Sequence, residues 1–324
     1  MTAEQAPVPQ ETSTPVSVEH PFVFMGGLGY DQARNREVGG AIIALTGHAE
    51  VISLPDLKTK GAKIGHFVHH YPDGTENELS GKAVRKGLHD DASVRYSRLH
   101  EQRAEELITA IEHAGSKPVD AVFQSVDVST GILAMHRRPE LFKKVVLMDP
   151  SSIIKLPPKW QYLREEWRNG NLRNMMRRKK ESVDVPRFEK SATLHEKRQR
   201  IQRSTTGGNL NASYVSYQAT MLHEAARAEH APSVSIIASR FDHAYTPERL
   251  LKALISLDDI QGFFVTNARH GLGGKQTKLE QLVGVLNDTE ARTASMLQKL
   301  HFFDGVAGDY RQKIIDIVKG REDK

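Results

Sequence analysis

The sequence contains no cysteine. That single absence excludes a disulfide framework, a thiolate zinc site and a cysteine nucleophile. No apolar run reaches the roughly 18 residues that a membrane-spanning helix requires. The stretch from Met1 to Pro15 has neither a basic n-region nor an apolar h-region, so it does not read as a secretory signal. Residues 1–20 are expected to form a solvated tail. No internal repeat is visible. These absences lead to the expectation of a cytoplasmic protein without a membrane span. The 324 residues, 39% of them hydrophobic, are enough to bury a sizeable core.

Charge is present but unevenly spread. The net charge is +5, yet Ser151 to His230 alone holds 16 Lys and Arg against 8 Asp and Glu. The remainder is therefore mildly acidic. A basic segment set in an acidic body points to an anionic ligand or surface beside it, or to a solvated helical face. No nucleic acid partner is expected, and the composition leaves the oligomeric state open.

Short runs rich in Val, Ile and Phe alternate with longer helical patterns. The runs are Pro21–Met25, Glu50–Leu54, Val119–Phe123, Lys144–Met148, Val234–Ala238 and Gly262–Thr266. Unbroken apolar runs mark strands buried on both faces, as in a parallel sheet covered by helices. Helices are expected over Asp31–Leu45, Tyr96–Ala114, Thr130–Arg137, Pro247–Ser256 and Gln276–Leu286. The βα alternation predicts an α/β fold with a doubly wound, mostly parallel sheet. Residues 21–150 and 231–290 are read as the core and 151–230 as a basic helical cap inserted into it. Residues 291–324 are read as a C-terminal helical extension. Residues 61–92 read as an excursion after the second strand, with a Pro72-Asp73-Gly74 turn between short strands.

Two patterns that resemble ligand motifs fall short. His66, His69 and His70 have metal-ligating side chains but no carboxylate at a recognisable spacing, and in a strand His69 faces away from the other two. No metal site is expected. The loop Gly26-Gly-Leu-Gly29 follows a strand and opens a helix, but position 32 is Gln and no acidic residue ends the next strand. A dinucleotide fingerprint needs both features, so no cofactor is expected.

The third strand runs into Gln124, Ser125, Val126 and Asp127 and then into a helix. A serine on a strand-to-helix turn is exposed and sits where backbone N–H groups can stabilise an oxyanion. Val119–Pro150 resembles the nucleophile-elbow segment of the α/β-hydrolase superfamily. The likeness lies in Ser125, then Arg138-Pro139-Glu140, then a buried strand ending in Asp149-Pro150. Phe22–Tyr30 (FVFMGGLGY) is similar to the family's strand and oxyanion loop, with Gly26 in place of the usual His. Val51–Gly61, Ala238–Pro247 (ASRFDHAYTP) and Asn267–Gly271 (NARHG) resemble its next strand and turn, its acid-bearing strand end and its histidine loop.

The resemblance implies an α/β-hydrolase-type fold and a Ser-His-Asp triad of Ser125, His270 and Asp242. It implies oxyanion donors at Leu28 and Val126, with Asp149 as an alternative acid. The expected activity is hydrolysis of an ester, or less favourably an amide, in a small-molecule substrate that the basic cap would bias towards anions. The elbow departs from Gly-x-Ser-x-Gly, since Phe123 and Asp127 stand at the flanks. Phe123 is expected to crowd the turn and Asp127 to oppose a developing oxyanion, which predicts a slow enzyme. The alternative is a catalytically weak or inactive protein of the same fold that binds an anionic ligand or partner through its basic cap.

Overall fold

The computed structural model describes residues 20–27, 32–54, 66–70, 76–80, 94–115, 117–151, 153, 218–242, 245–268, 276–287 and 295–322. The first elements are β1 (Phe22–Met25), α1 (Gln32–Thr46) and β2 (Val51–Ile52). They are followed by β3 (His66–His70), β4 (Glu76–Ser80), β5 (Val94–Ser97) and α2 (Arg98–Ala114). Next come β6 (Val119–Gln124), α3 (Val128–Arg137) and β7 (Phe142–Met148). A helix over residues 218–226, α4, precedes β8 (Ser233–Ser239), α5 (Pro247–Ala253) and β9 (Gly262–Thr266). The last elements are α6 (Gln276–Asn287), α7 (Met296–Lys299), β10 (Leu300–Phe302) and α8 (Gly308–Glu322).

Among the described residues, seven strands form one sheet in the order β10-β9-β8-β7-β6-β1-β2, and every neighbouring pair is parallel. The apolar runs explain this arrangement. Successive side chains of a strand point to opposite faces. In β1, Phe22 and Phe24 pack with Ile42 of α1 and Leu282, Val285 and Leu286 of α6. Val23 and Met25 face the opposite layer, with Leu107 and Ile111 of α2, Ile132 and Leu133 of α3, and Leu250 of α5. The sheet is thus covered on both faces. Local signals set the helix ends. Gly47, at φ +77, follows α1. Thr246 caps α5 by accepting the Arg249 N–H, with Pro247 in the first turn.

The strand order fixes where a site can lie. From β1 the chain adds β2 on one side. It later returns to β6 on the other side and continues outward through β7, β8, β9 and β10. The order reverses between β1 and β6. In open parallel sheets ligands bind at the carboxyl ends of the strands at such a switch point. The carboxyl ends there carry Gly26-Gly27 and Ser125.

Two segments differ from the sequence expectation. The stretch read as a C-terminal helical extension is part of the core. Its β10 pairs with β9, with Leu300, His301 and Phe302 beside Phe263, Phe264 and Val265. Ile314 and Val318 of α8 are buried in the main core. Tyr310 Oη donates to Glu248 Oε2 at 2.9 Å, and Lys313 pairs with Glu248 Oε1 at 2.8 Å. The far end of the segment read as a cap also belongs to the core, because Ala219, Met221, Leu222 and Ala225 of α4 are buried in it. Residues 154–217 of that segment lie outside the described residues. Within the excursion, β3 pairs antiparallel with β4, and β5, just beyond it, pairs with the other side of β3 to complete a separate small sheet.

If the C-terminal segment is core, truncating one of its buried side chains should be costly. Ile314→Ala is expected to lower the unfolding free energy by about 2–5 kcal/mol in a urea titration. A dispensable appendage would leave the midpoint unchanged.

Candidate functional site

Ser125 follows β6 and opens one turn of 3-10 helix, Ser125–Asp127, that runs directly into α3. Gln124 is still extended, at φ −118 and ψ 139, but Ser125 has φ +56. A non-glycine residue in this left-handed region costs of order 1–3 kcal/mol and persists only where its surroundings impose it. Here the Val128 N–H closes on the carbonyls of Ser125 and Val126. The Ser151 N–H also donates to the Ser125 carbonyl, at 3.4 Å. The serine is half-buried at the carboxyl edge of the sheet.

The glycines missing from the flanks are supplied from elsewhere in the fold. Gly27, at φ +80, passes so close to the elbow that a Cβ there would lie 2.7 Å from the Gln124 carbonyl oxygen and 2.9 Å from Ser125 Cβ. Gly131 of α3 lies over the ring of Phe123, where a Cβ would come within 2.3 Å of the ring. Phe123 is fully buried and packs edge-on with Phe142, centroids 6.3 Å apart. It therefore does not crowd the turn as expected. Its ring goes down into the core, and α3 makes room by having no side chain at position 131.

Asp127 also differs from expectation. Its Oδ2 accepts the Gly27 N–H at 2.9 Å, so the carboxylate is tied to the loop after β1. Asp127 occupies the N-cap position of α3 without a side-chain capping bond. Burial pushes its carboxyl above the usual range, opposed by the nearby Arg103 guanidinium and by the Gly27 N–H. Arg103 lies on α2, is 7% exposed and pairs with Glu106 at 3.0 Å. One turn earlier His100, also buried, meets Thr130 Oγ1 through Nδ1 at 3.1 Å. Burial and the Arg103 charge hold its imidazole neutral, with the pKa lowered to about 4.

The acid candidates end neighbouring strands. Asp149, just past β7, is fully buried at φ +46. Its Oδ1 accepts the Ser239 N–H at 2.9 Å and its Oδ2 pairs with Lys278 Nζ at 3.0 Å. Lys278 also donates to Ser239 Oγ at 2.9 Å and is only 4% exposed. Asp242, past β8, is buried, and its Oδ1 accepts the Tyr245 N–H at 3.0 Å. The Phe241 N–H donates to the Ala268 carbonyl at 3.0 Å, which ties the Asp242 turn to the chain two residues before position 270. His270 and Leu28 lie outside the described residues, while Val126 follows Ser125 in the 3-10 turn and is buried. The structure thus brings Ser125, Asp149 and Asp242 to one edge, on the adjacent strands β6, β7 and β8.

Sequence reasoning missed four supporting residues. Asn35 accepts the Gly26 N–H at 2.9 Å from within α1. His100 and Arg103 lie on the buried stripe of α2 beside Ala104 and Leu107, and a polar residue on an apolar stripe is a readable signal. Lys278, in the first turn of α6, lies on the same helix face as the buried Leu282, Val285 and Leu286, so it carried the same signal.

Two measurements follow. Gly131→Ala is expected to destabilise the protein by about 1–3 kcal/mol in urea unfolding, although alanine is the better helix former. Adding Phe123→Leu should recover part of that loss, giving a clear coupling in the double-mutant cycle. The second concerns His100. An unfolded histidine takes its proton near pH 6.5, whereas His100 in the fold resists it until about pH 4. Between those values the unfolded state binds more protons, so stability falls as pH falls. The stability difference between His100→Gln and wild type should therefore shift in favour of the variant from pH 6.5 to 4. A constant difference would show that His100 does not carry this linkage.

No family model matches the sequence, and no curated protein is similar to it in sequence. Among solved structures the chain is similar to an N-formylmaleamic acid deformylase from Pseudomonas putida S16, at 13% identity and a TM-score of 0.45, covering 84% of this chain and 93% of that one. It is similar to a hydrolase from Pseudomonas aeruginosa PA01, at 16% identity and a TM-score of 0.45, covering 85% and 92%. It is also similar to the carboxylesterase CesB from Bacillus subtilis, at 14% identity and a TM-score of 0.44, covering 85% and 86%. What fixes the architecture is in the chain itself. With an all-parallel sheet reversing between β1 and β6, and a left-handed serine leading from β6 into α3 at that reversal, this protein has a fold of the α/β-hydrolase type.

Proposed function

We propose that the chain is a serine hydrolase acting on an ester bond, with Ser125 as nucleophile, His270 as general base and Asp242 as the acid that orients it. The observation that carries this reading is the left-handed backbone of Ser125 at the switch point, held there by close contact with Gly27. Strain of that kind collects at functional sites, where it presents a side chain that a regular turn would hide.

In this reading Ser125 Oγ attacks the acyl carbon and passes its proton to His270, which then delivers it to the leaving alkoxide. Water, activated by the same histidine, attacks the acyl-enzyme and releases the acid. Asp242 stabilises the imidazolium. The N–H groups of Val126 and Leu28 bind the oxyanion. Asp149 is assigned a structural part, because Lys278 and the Ser239 N–H engage its two oxygens. No cofactor enters the scheme. The substrate is a small ester or acyl compound, biased towards anions by the basic 151–230 segment, and the setting is cytoplasmic. Among the described residues no helix is long and apolar enough to cross a membrane.

The reading is tested with a fluorophosphonate probe and an activated ester such as p-nitrophenyl acetate. Wild-type protein is expected to be labelled at Ser125 and to turn the ester over. Ser125→Ala should lose the label and about 10³-fold or more of the turnover. Absence of both label and turnover in wild type would retire the enzyme reading. Binding of an anionic ligand through the basic segment would then replace it.

A further inference from the structure

We propose that Asp127 is a positioning residue that holds the oxyanion loop in register with the elbow, taking over by hydrogen bonding what a glycine at this position achieves by close packing. The inference rests on the serine hydrolase reading above for its catalytic part. Its structural part stands on geometry alone. Asp127 Oδ2 accepts the Gly27 N–H at 2.9 Å across a separation of 100 residues. The preceding N–H of the same loop, that of Gly26, is held at 2.9 Å by Asn35 Oδ1. Two successive amides are therefore gripped by side chains from two different helices or turns. The amide that follows in sequence is that of Leu28, the proposed oxyanion donor.

The alternative use of Asp127 can be examined directly. At the start of a helix an aspartate ordinarily accepts an N–H of that helix's own first turn. Asp127 stands at the N-cap of α3 and makes no such bond. Its Oδ2 instead accepts from the loop after β1. Burying a carboxylate is also costly unless it is paired and hydrogen-bonded. The Arg103 charge on α2 and the Gly27 N–H offset part of that cost. The ionisable groups on this side of α2 are His100, neutral and bonded to Thr130, Arg103 and Glu106. Of these, Arg103 acts on Asp127, together with the Gly27 N–H and against the effect of burial. A side chain aimed at one backbone amide of the loop after β1 acts as a strut.

A strut is needed here because Gly27 has no side chain of its own to fix it and adopts φ +80, a conformation open to alternatives. Small displacements of a group that contacts the reacting atoms are expensive, since a misplacement of about 1 Å can cost on the order of 10²-fold in rate.

The test compares Asp127→Gly, which supplies the glycine usual at this elbow position, with Asp127→Asn, whose amide oxygen can still accept the Gly27 N–H. Two readouts are taken: kcat and KM with p-nitrophenyl acetate, and hydrogen exchange at the Gly27 amide by NMR. Asp127→Gly is expected to lower kcat by about 10- to 100-fold with KM changed by less than about threefold, and to speed exchange at Gly27. Asp127→Asn should keep kcat within about fivefold of wild type and retain the Gly27 protection. A rise or no change in kcat for Asp127→Gly would overturn the proposal. So would unchanged Gly27 exchange in that variant, or an equal loss of kcat in Asp127→Asn with the protection intact. If wild type itself shows no turnover, the hydrolase reading has failed and the exchange experiment alone decides whether Asp127 is the strut.

Discussion

The arrangement of this molecule depends on one strained residue. Ser125 keeps a left-handed backbone that an unconstrained serine would leave. Gly27 occupies the space against its Cβ, the Val128 N–H closes on its carbonyl, and Phe123 anchors the strand behind it beneath Gly131. Flanking glycines are the local solution to a crowded elbow. This chain uses a distributed one, in which the empty space lies across the fold on β1's loop and on α3. The steric requirement is the same, but it is met through space instead of along the chain.

Charge completes what packing begins. Lys278 and Asp149 form a buried pair that joins the first turn of α6 to the ends of β7 and β8. The chain up to residue 268 is thus bonded to the Asp242 turn, and the helix that begins at Gln276 is anchored at Asp149. A buried pair contributes little net stability compared with apolar packing, yet removing one partner leaves an unmatched charge in a place without water. Such a pair tolerates one geometry and penalises its neighbours. On the other side of the elbow the hydrogen bond from the Gly27 N–H to Asp127 ties two distant segments together.

Much of this was legible beforehand, for a physical reason. Strands such as Gly262–Thr266 and Val119–Gln124 are buried on both faces, so their sequences are unbroken apolar runs bounded by turns. The elbow serine was legible because a strand, a serine and a helix follow one another directly. β10 was not, because Leu300-His301-Phe302 is three residues long and sits between two helical patterns that absorb it. The role of Gly131 was hidden as well. A glycine inside a helix reads as a weak helix former, and only the fold reveals the ring of Phe123 beneath it. The same holds for Asp127, which read as misplaced charge until the Gly27 amide was seen beside it. Contacts between distant segments leave no periodic trace in sequence.

Among the described residues the sheet ends in two very short strands, the two-residue β2 on one side and the three-residue β10 on the other. A short edge offers little to a foreign chain. Behind β10 lies β9, whose five residues, Gly-Phe-Phe-Val-Thr, are all buried and carry the apolar, uncharged composition of self-associating segments. In this molecule β10 is a stopper on that segment. Were it to peel away, β9 would become an open template for a foreign strand.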